Sequence, residues 1–261
     1  MNKNLLKAIV IFDIDGVIRD VGNSYRRAIA DTVEEFTNSG WRPTMEDLDS
    51  LKSEGVWNND WEASQELAYR YFEAQDKTRE AISLDYEKIV EFFQERYRGK
   101  HPELFDGYIA DEPLLVSPSY FEHLVKNQIA YGFFSGATRG SAEFTLKHRL
   151  KLNNPVLVAM EDAPSKPDPA GMFDAIDQIE ANPDVPVFYV GDTVADMYTI
   201  AKAKKKISTR NWIAIGILPP HVQTSQTRQA DYAQKLLEAG AEAVLSNVEN
   251  LDLQMVSELV N

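Results

Sequence analysis

The sequence predicts an α/β protein, a doubly wound parallel sheet with an all-helical segment inserted into it. Short apolar runs alternate with amphipathic helical patterns from residue 118 onwards, which is typical of parallel strands joined by helices. One further apolar run, residues 9–12, comes before residues 20–117, whose patterns are almost wholly helical. We therefore expect a sheet domain made of residues 1–19 and 118–261, and a separate helical domain of residues 20–117.

The inserted segment contains four helical patterns. In the first, apolar residues recur at near-helical spacing and Gly40 follows as a stop signal. The second begins at Thr44. Thr44 and Asp47 have the spacing of a capping box, in which each of the two side chains accepts a hydrogen bond from a free backbone N–H group. The four predicted helices cover residues 24–38, 44–51, 60–76 and 85–98.

The rest of the chain alternates between strand and helix patterns. Ser117 and Pro118 have the features of a helix N-cap and a first helical residue, since proline fits the first turn of a helix. The predicted strands cover residues 9–12, 129–134, 156–159, 187–190, 212–217 and 243–245. The predicted helices cover residues 118–127, 139–150, 168–180, 193–204 and 225–239, followed by a terminal helix.

The composition argues against several kinds of partner and chemistry. The net charge is −14, and non-specific binding to nucleic acid or to an anionic membrane requires basic surface, so we expect neither partner. The chain has no cysteine, which excludes disulfides, thiolate catalysis and metal sites with cysteine ligands. The amino terminus has no apolar segment of the secretory type, and no apolar run is long enough to span a bilayer, so we expect a cytoplasmic protein.

Two aspartates follow directly after the first predicted strand. Residues two apart in an extended backbone face the same side, so Asp13 and Asp15 can share a site while Ile14 points into the core. Gly16 then lets the chain turn sharply. Two neighbouring carboxylates repel each other unless a cation joins them, which favours a functional site. The same four residues are also a common turn sequence, so this motif alone leaves its role open.

Residues suited to phosphate chemistry follow three other predicted strands. Ser135 and Gly136 come after the second strand, Lys166 after the third, and Asp192 and Asp196 after the fourth. The carboxyl ends of parallel strands meet at one edge of a sheet, so we expect these residues to converge. At about 6 Å and an effective dielectric near 20, each pair of carboxylates repels by roughly 3 kcal/mol. A divalent cation with oxygen ligands relieves this repulsion, so we expect Mg²⁺ as the cofactor.

The types of these residues fit phosphoryl transfer. Asp13 can attack phosphorus and form an aspartyl-phosphate, which divides one displacement into two easier ones. Asp15 can protonate the leaving oxygen and later take a proton from water. The Ser135 hydroxyl and the Gly136 amide can hold phosphoryl oxygens, and Lys166 can supply positive charge.

These motifs resemble those of the haloacid dehalogenase superfamily, in the branch that carries a helical cap after the first motif. The matching segments are residues 13–17, 134–136, 166–169 and 191–196, in the family's order. The resemblance implies that Asp13 is the nucleophile, that Asp15 is the acid/base, and that the helical domain is a cap that selects the substrate. It also implies that Mg²⁺ is held by Asp13, by the main-chain carbonyl of Asp15 and by Asp192, with Asp196 reaching it through water.

The resemblance also bears on the substrate. Family dehalogenases and phosphonate hydrolases lack an acid/base at the position of Asp15, so this residue favours a phosphate ester. In capped relatives a loop between the first cap helices closes over the site, and here Lys52 and Asn58 in that loop are candidates for substrate contact. Asn59 or Asp60 can instead simply N-cap the next helix. Arg139 is a further candidate for substrate binding, or merely the start of a helix.

We expect a Mg²⁺-dependent phosphatase that acts on a small phosphorylated metabolite. A phosphomutase with the same core is an alternative, since it differs only in returning the phosphoryl group to the sugar. A non-catalytic binding protein that has kept the fold would have a broken catalytic set, and none of Asp13, Asp15, Lys166 or Asp192 is missing. Residues 25–27 and 58–61 are also similar to a subfamily of these phosphatases in which a fused member suggests a link to histidine biosynthesis. The sequence does not establish the oligomeric state or the roles of Arg26, Arg27, Trp57 and His221. The two arginines can attract an anionic substrate or form a solvated helix face, Trp57 can offer a flat apolar wall to a substrate, and His221 can line the entrance to the site.

Overall fold

The structure is a computed structural model that describes residues 6–57, 59–101, 103–179 and 182–260. The chain forms two compact units, one made of Met1–Asp20 and Pro113–Asn261, the other of Val21–Glu112. We expected the helical segment to cover residues 20–117, so the compact helical unit starts one residue later and ends five residues earlier. No helix in the described ranges is both long and apolar enough to cross a membrane.

The first unit is built on a parallel sheet. Its described residues form six strands: β1 (Ala8–Phe12), β2 (Ile129–Phe134), β3 (Leu157–Val158), β4 (Val187–Gly191), β5 (Trp212–Ile217) and β6 (Ala243–Leu245). All neighbouring pairs are parallel and the order is β3-β2-β1-β4-β5-β6. The chain therefore winds outward in both directions from β1, which confirms the predicted doubly wound fold. In such sheets ligands bind at the carboxyl ends of the strands, where the winding changes direction.

The second unit is helical. Its α-helices, within the residues described, are α1 (Tyr25–Phe36), α2 (Met45–Ser53), α3 (Asp60–Glu73) and α4 (Tyr86–Tyr97). The predicted capping box at the start of α2 is confirmed, because the Thr44 hydroxyl accepts from the Asp47 N–H and the Asp47 carboxylate accepts from the Thr44 N–H. The boundaries of all four helices lie within three residues of the predicted ones.

The helices of the first unit cover the two faces of the sheet. They are α5 (Pro118–Lys126), α6 (Arg139–Glu143), α7 (Ala170–Ile179), α8 (Val194–Lys206), α9 (Gln226–Glu238) and α10 (Leu253–Val260). Pro118 occupies the first turn of α5 as predicted. The helix predicted at residues 139–150 is present, but its second half, Phe144–Arg149, forms a π-helical turn and not a regular α-helix. The wider turn carries Thr145, whose hydroxyl accepts a hydrogen bond from a buried arginine, Arg19.

The central strand β1 is buried on both faces. Val10 and Phe12 belong to one apolar cluster, and Ile9 and Ile11 belong to the other. A strand covered on both sides has a continuous apolar sequence rather than an alternating one, which explains the run at residues 9–12. Asp13 follows directly after this strand, which side chains on both faces bury.

Candidate active site

The polar residues that follow the strands lie at one edge of the sheet. Asp13 continues from β1, and its N–H donates to the Val190 carbonyl of β4 at 2.8 Å. Ser135 continues from β2, and its N–H donates to the Val158 carbonyl of β3 at 3.0 Å. Asp192 follows directly after the end of β4. The carboxyl ends of three neighbouring strands, β2, β1 and β4, thus carry predicted residues.

Lys166 joins two of the carboxylates. Its Nζ lies 2.7 Å from Asp13 Oδ2 and 2.7 Å from Asp196 Oδ1. The side chains of Lys166, Asp13 and Asp196 are 11 %, 8 % and 0 % exposed. Charges removed from water to this extent require close partners, and the ammonium supplies one to each carboxylate. Residues 13, 166 and 196, far apart in sequence, therefore form one buried charged cluster.

Asp196 has further partners. Its Oδ1 also accepts from the Tyr189 hydroxyl at 3.1 Å, and its Oδ2 accepts from the Thr193 N–H at 2.9 Å and the Thr193 hydroxyl at 2.6 Å. The Thr193 contacts are the capping box of α8. These hydrogen bonds fix the orientation of the Asp196 carboxylate, and that carboxylate in turn holds Lys166 in place. The contact between Tyr189 and Asp196 was not predicted. The sequence does place a tyrosine within an apolar strand, and a buried tyrosine usually finds a hydrogen-bond partner for its hydroxyl.

Three carboxylates are close enough to hold a metal ion. Asp13, Asp192 and Asp196 each offer an oxygen within 4.8 Å of the others, and all three residues are buried. Three carboxylates beside one ammonium leave an excess of negative charge, which fits a divalent cation with oxygen ligands. Gly16 contributes space to this group, because its φ is +76° and a Cβ there would lie 2.1 Å from Asp192 Oδ2. A side chain at residue 16 would therefore displace an oxygen of this acidic group.

Burial and charge both shift the pKa values in the cluster. Burial raises the pKa of Asp13 to about 7; the Lys166 ammonium opposes this rise, and Asp196 and Asp15 add to it. Burial lowers the pKa of Lys166, but Asp13 and Asp196 outweigh this effect, so the pKa lies well above its usual range. Lys166 therefore stays charged at neutral pH, whereas the charge of Asp13 in the metal-free protein changes near neutrality.

The carboxylate of Asp15 contacts Arg19. The guanidinium donates to Asp15 Oδ1 from Nε at 2.7 Å, and its Nη2 lies 2.6 Å from the same oxygen. Arg19 is 0 % exposed, whereas the Asp15 side chain is 26 % exposed. This arginine was not predicted, because an arginine that follows the Gly16 turn and stands beside Asp20 has no local pattern that indicates burial.

Gly136 lies beside open space, and Ser135 next to it is buried. The Oγ of Ser135 accepts from the Ala137 N–H at 3.1 Å. A Cβ built on Gly136 would meet no atom within 4 Å. Arg139, in contrast, is directed to other acids, because its guanidinium contacts Asp162 and Glu143 along a cavity of about 580 Å³. Its predicted role in substrate binding stays a prediction.

Two residues of the helical unit are predicted to contact the substrate. One is paired within that unit and the other lies outside the described residues. Lys52 Nζ lies 2.7 Å from Asp60 Oδ1. Asn58 lies outside the described residues. Asn59 is the N-cap of α3, where its side chain accepts from two backbone N–H groups, which confirms the structural role considered for this loop. The guanidinium of Arg27 lies over the Tyr108 ring, 4.1 Å from its centroid.

One family model matches more than half of the chain. The family model described as haloacid dehalogenase-like hydrolase matches residues 7–204. Among curated proteins, an imidazoleglycerol-phosphate dehydratase from Phytophthora nicotianae is 28 % identical over 251 residues, which cover 95 % of this chain and 49 % of that protein. The chain thus spans about half the length of this curated relative.

Solved structures share the fold. A putative haloacid dehalogenase-like hydrolase from Bacteroides fragilis has a TM-score of 0.62 and 20 % identity, over 94 % of this chain and 99 % of that one. A putative beta-phosphoglucomutase from Thermotoga maritima has a TM-score of 0.60 and 19 % identity, over 96 % and 99 %. A phosphonoacetaldehyde hydrolase-like protein from Oleispira antarctica has a TM-score of 0.65 and 15 % identity, over 98 % and 93 %.

Proposed function

The chain belongs to the haloacid dehalogenase-like hydrolases, and from this premise we propose that it is a Mg²⁺-dependent phosphatase of small phosphate esters. The observation that carries the proposal is the buried cluster at the strand ends, in which Lys166 lies 2.7 Å from Asp13 and from Asp196. A carboxylate beside a fixed ammonium can attack a phosphoryl group whose charge the same ammonium offsets.

In the first step an oxygen of Asp13 forms a bond to phosphorus. The bond between phosphorus and the ester oxygen breaks, and its electron pair stays on that oxygen. Asp15 in its protonated form gives its proton to this leaving oxygen, so the product is a neutral alcohol. Asp13 then carries the phosphoryl group as an aspartyl-phosphate.

In the second step water attacks the aspartyl-phosphate. A new bond forms between the water oxygen and phosphorus, the bond to Asp13 breaks, and the Asp13 carboxylate is restored. Asp15, now ionised, takes the proton that water loses, so the enzyme returns to its starting state. Lys166, Ser135 and the Gly136 amide hold the phosphoryl oxygens during both displacements.

Asp13, Asp192 and the main-chain carbonyl of Asp15 would hold the Mg²⁺ ion, with Asp196 reaching it through water. When bound, the ion supplies positive charge that offsets the carboxylates and the phosphoryl oxygens. The buried group of Asp13, Asp192 and Asp196, with oxygens within 4.8 Å of one another, supports a cation of this kind. The four hydrogen bonds that Asp196 accepts make it the ligand best suited to act through water.

Two proteins in the comparison suggest which substrates to test. The Thermotoga maritima protein is named a putative beta-phosphoglucomutase, which favours the phosphomutase as the second candidate function. The Phytophthora nicotianae relative is named for imidazoleglycerol phosphate, so phosphate esters that carry an imidazole ring, such as histidinol phosphate, are a first choice of substrate. The cap residues Lys52 and Asn58 are proposed to contact the part of the substrate beyond the phosphate.

The proposal is tested by a substrate screen with inorganic phosphate as the readout. The panel contains sugar phosphates, phosphoglycolate, glycerol phosphate, nucleotides, histidinol phosphate and p-nitrophenyl phosphate. We expect Mg²⁺-dependent release of phosphate, loss of release with EDTA, and loss of turnover in Asp13→Asn but not in Asp231→Asn, an exposed aspartate of α9. Isomerised sugar phosphate without free phosphate would establish the phosphomutase instead. Full activity in Asp13→Asn would overturn both candidates.

A further inference from the structure

We propose that Arg19 is a positioning residue for Asp15, an inference that rests on the proposed function because it assigns Asp15 the proton-transfer role. Arg19 is among the largest fully buried side chains of the described residues, and it carries a permanent positive charge. A buried guanidinium requires hydrogen-bond acceptors and a counter-charge. Arg19 contacts the carboxylate of Asp15.

The two contacts between Arg19 and Asp15 fall on one carboxylate oxygen. Nε at 2.7 Å and Nη2 at 2.6 Å both approach Oδ1. Neither of these two contacts involves Oδ2. The carboxylate is therefore held by one oxygen while the other stays available to give or take a proton.

The guanidinium is itself anchored from the opposite side. Its Nη1 donates to the Thr145 hydroxyl at 2.9 Å, and its Nη2 donates to the Ser141 hydroxyl at 2.9 Å. Ser141 belongs to α6 and Thr145 to the π-helical turn that follows it. Such turns place side chains that a regular α-helix would direct elsewhere, and they occur often at functional sites. The irregular turn thus supplies the second anchor of Arg19.

The backbone between the two residues is also closed. The Gly16 N–H donates to the Arg19 carbonyl at 2.9 Å, and the Arg19 N–H donates to the Ile14 carbonyl at 3.2 Å. The planar guanidinium of Arg19 is therefore held at the Asp15 carboxylate on one side and at the Ser141 hydroxyl of α6 on the other. Without the guanidinium, the Asp15 carboxylate could rotate about its side-chain bonds, and the reactive oxygen would spend less time in one place.

The test compares two substrates that differ in their need for a proton. The leaving group of an alkyl phosphate such as glycerol phosphate is an alkoxide, which requires the proton from Asp15. The leaving group of p-nitrophenyl phosphate is p-nitrophenolate, a stable anion that needs no proton. The parameter kcat/KM reports the steps up to cleavage of the ester bond. We expect Arg19→Met to lower kcat/KM about 100-fold for the alkyl phosphate, the size of a lost acid/base contribution, and far less for p-nitrophenyl phosphate.

A second signature comes from kcat. Hydrolysis of the aspartyl-phosphate is common to both substrates and also uses Asp15, so Arg19→Met should lower kcat for both. Arg19→Lys keeps the charge and one donor toward Asp15, so its kcat/KM for the alkyl phosphate should lie between wild type and Arg19→Met. Arg210→Met is the matched control, a part-buried arginine of the same unit that donates to the Val185 and Asn182 carbonyls, and it should leave the ratio of the two kcat/KM values unchanged.

The outcomes separate this inference from the proposed function. Asp15→Asn should show the same preference for p-nitrophenyl phosphate, and adding Arg19→Met to it should have no further effect on the ratio. If Asp15→Asn shows that preference and Arg19→Met lowers both kcat/KM values equally, the inference is wrong and the proposed function stands. If Asp15→Asn itself shows no preference, the proposed acid role of Asp15 fails. Should Arg19→Met not fold, the double variant Ser141→Ala with Thr145→Val removes the anchors, and an unchanged ratio there would overturn the inference.

Discussion

Replacement of Lys166 by methionine should destabilise the metal-free protein strongly. Methionine keeps most of the side-chain volume and removes the ammonium that lies 2.7 Å from both Asp13 Oδ2 and Asp196 Oδ1. Loss of one partner from a buried ion pair costs about 3–5 kcal/mol, since the remaining charge stays buried without compensation. For a chain of 261 residues this corresponds to a fall in Tm of roughly 6–20 °C.

The size of the effect should depend on pH. The pKa of Asp13 is already raised to about 7, mainly by burial, and loss of the Lys166 ammonium raises it further. Below this pKa the carboxyl group is neutral and needs no partner, so the loss of stability should be largest near pH 8 and smaller at pH 5. Added Mg²⁺ should restore part of the lost stability, because a cation that binds the folded state supplies the missing positive charge.

The assay is thermal unfolding of the metal-free protein, with an exposed lysine as the matched control. Lys147 Nζ lies 2.8 Å from Glu143 Oε1, but the two side chains are 41 % and 33 % exposed. An exposed pair of this kind contributes no more than about 0.5 kcal/mol, so Lys147→Met should change Tm little. If Lys166→Met lowers Tm no more than Lys147→Met does, the buried cluster does not carry the charge that we assign to it.

The remaining predictions concern the same cluster. Binding of Mg²⁺ at neutral pH should release protons, because burial raises the pKa of Asp13 to about 7 and part of the population is then protonated without the ion. Calorimetry in two buffers of different ionisation enthalpy measures this release, and Asp13→Asn should abolish it. Gly16→Ala should weaken Mg²⁺ binding by about tenfold or more in the same calorimetry, because the added Cβ would lie 2.1 Å from Asp192 Oδ2 and the φ of residue 16 is +76°. Unchanged affinity would show that Asp192 does not bind the ion. Tyr189→Phe should lower the free energy of unfolding by about 1 kcal/mol in urea unfolding, since the hydroxyl donates to Asp196; no loss would mean that this hydrogen bond is not formed.

The sequence predicts the position of the site because position depends on topology. Alternation of strands and helices predicts a parallel sheet, and the residues after each strand then meet at one edge. Asp13, Lys166 and Asp196 follow from this rule alone, although they are far apart in the chain. Their contacts in the structure have the geometry that the rule requires.

Other features depend on packing between distant segments and have no local pattern. Arg19 lies in a stretch that resembles an exposed turn, and its burial follows only from the position of α6 and the π-helical turn. The π turn itself cannot be predicted from the apolar spacing of residues 139–150, which suits a regular helix. Arg139 begins α6, as one of its two interpretations expects, and its guanidinium contacts Glu143 and Asp162, which no local pattern indicates.

The most direct test of the account is to trap the phosphorylated enzyme. A substrate identified by the screen is mixed with enzyme and Mg²⁺, the reaction is stopped in acid within one turnover, and the peptides are mapped by mass spectrometry. We predict a phosphoryl group on the peptide that carries Asp13, its removal by hydroxylamine, and its absence in Asp13→Asn. A phosphoryl group on another residue, or a burst of free phosphate with no phosphorylated peptide at any time, would contradict the central claim that the Asp13 carboxylate attacks phosphorus.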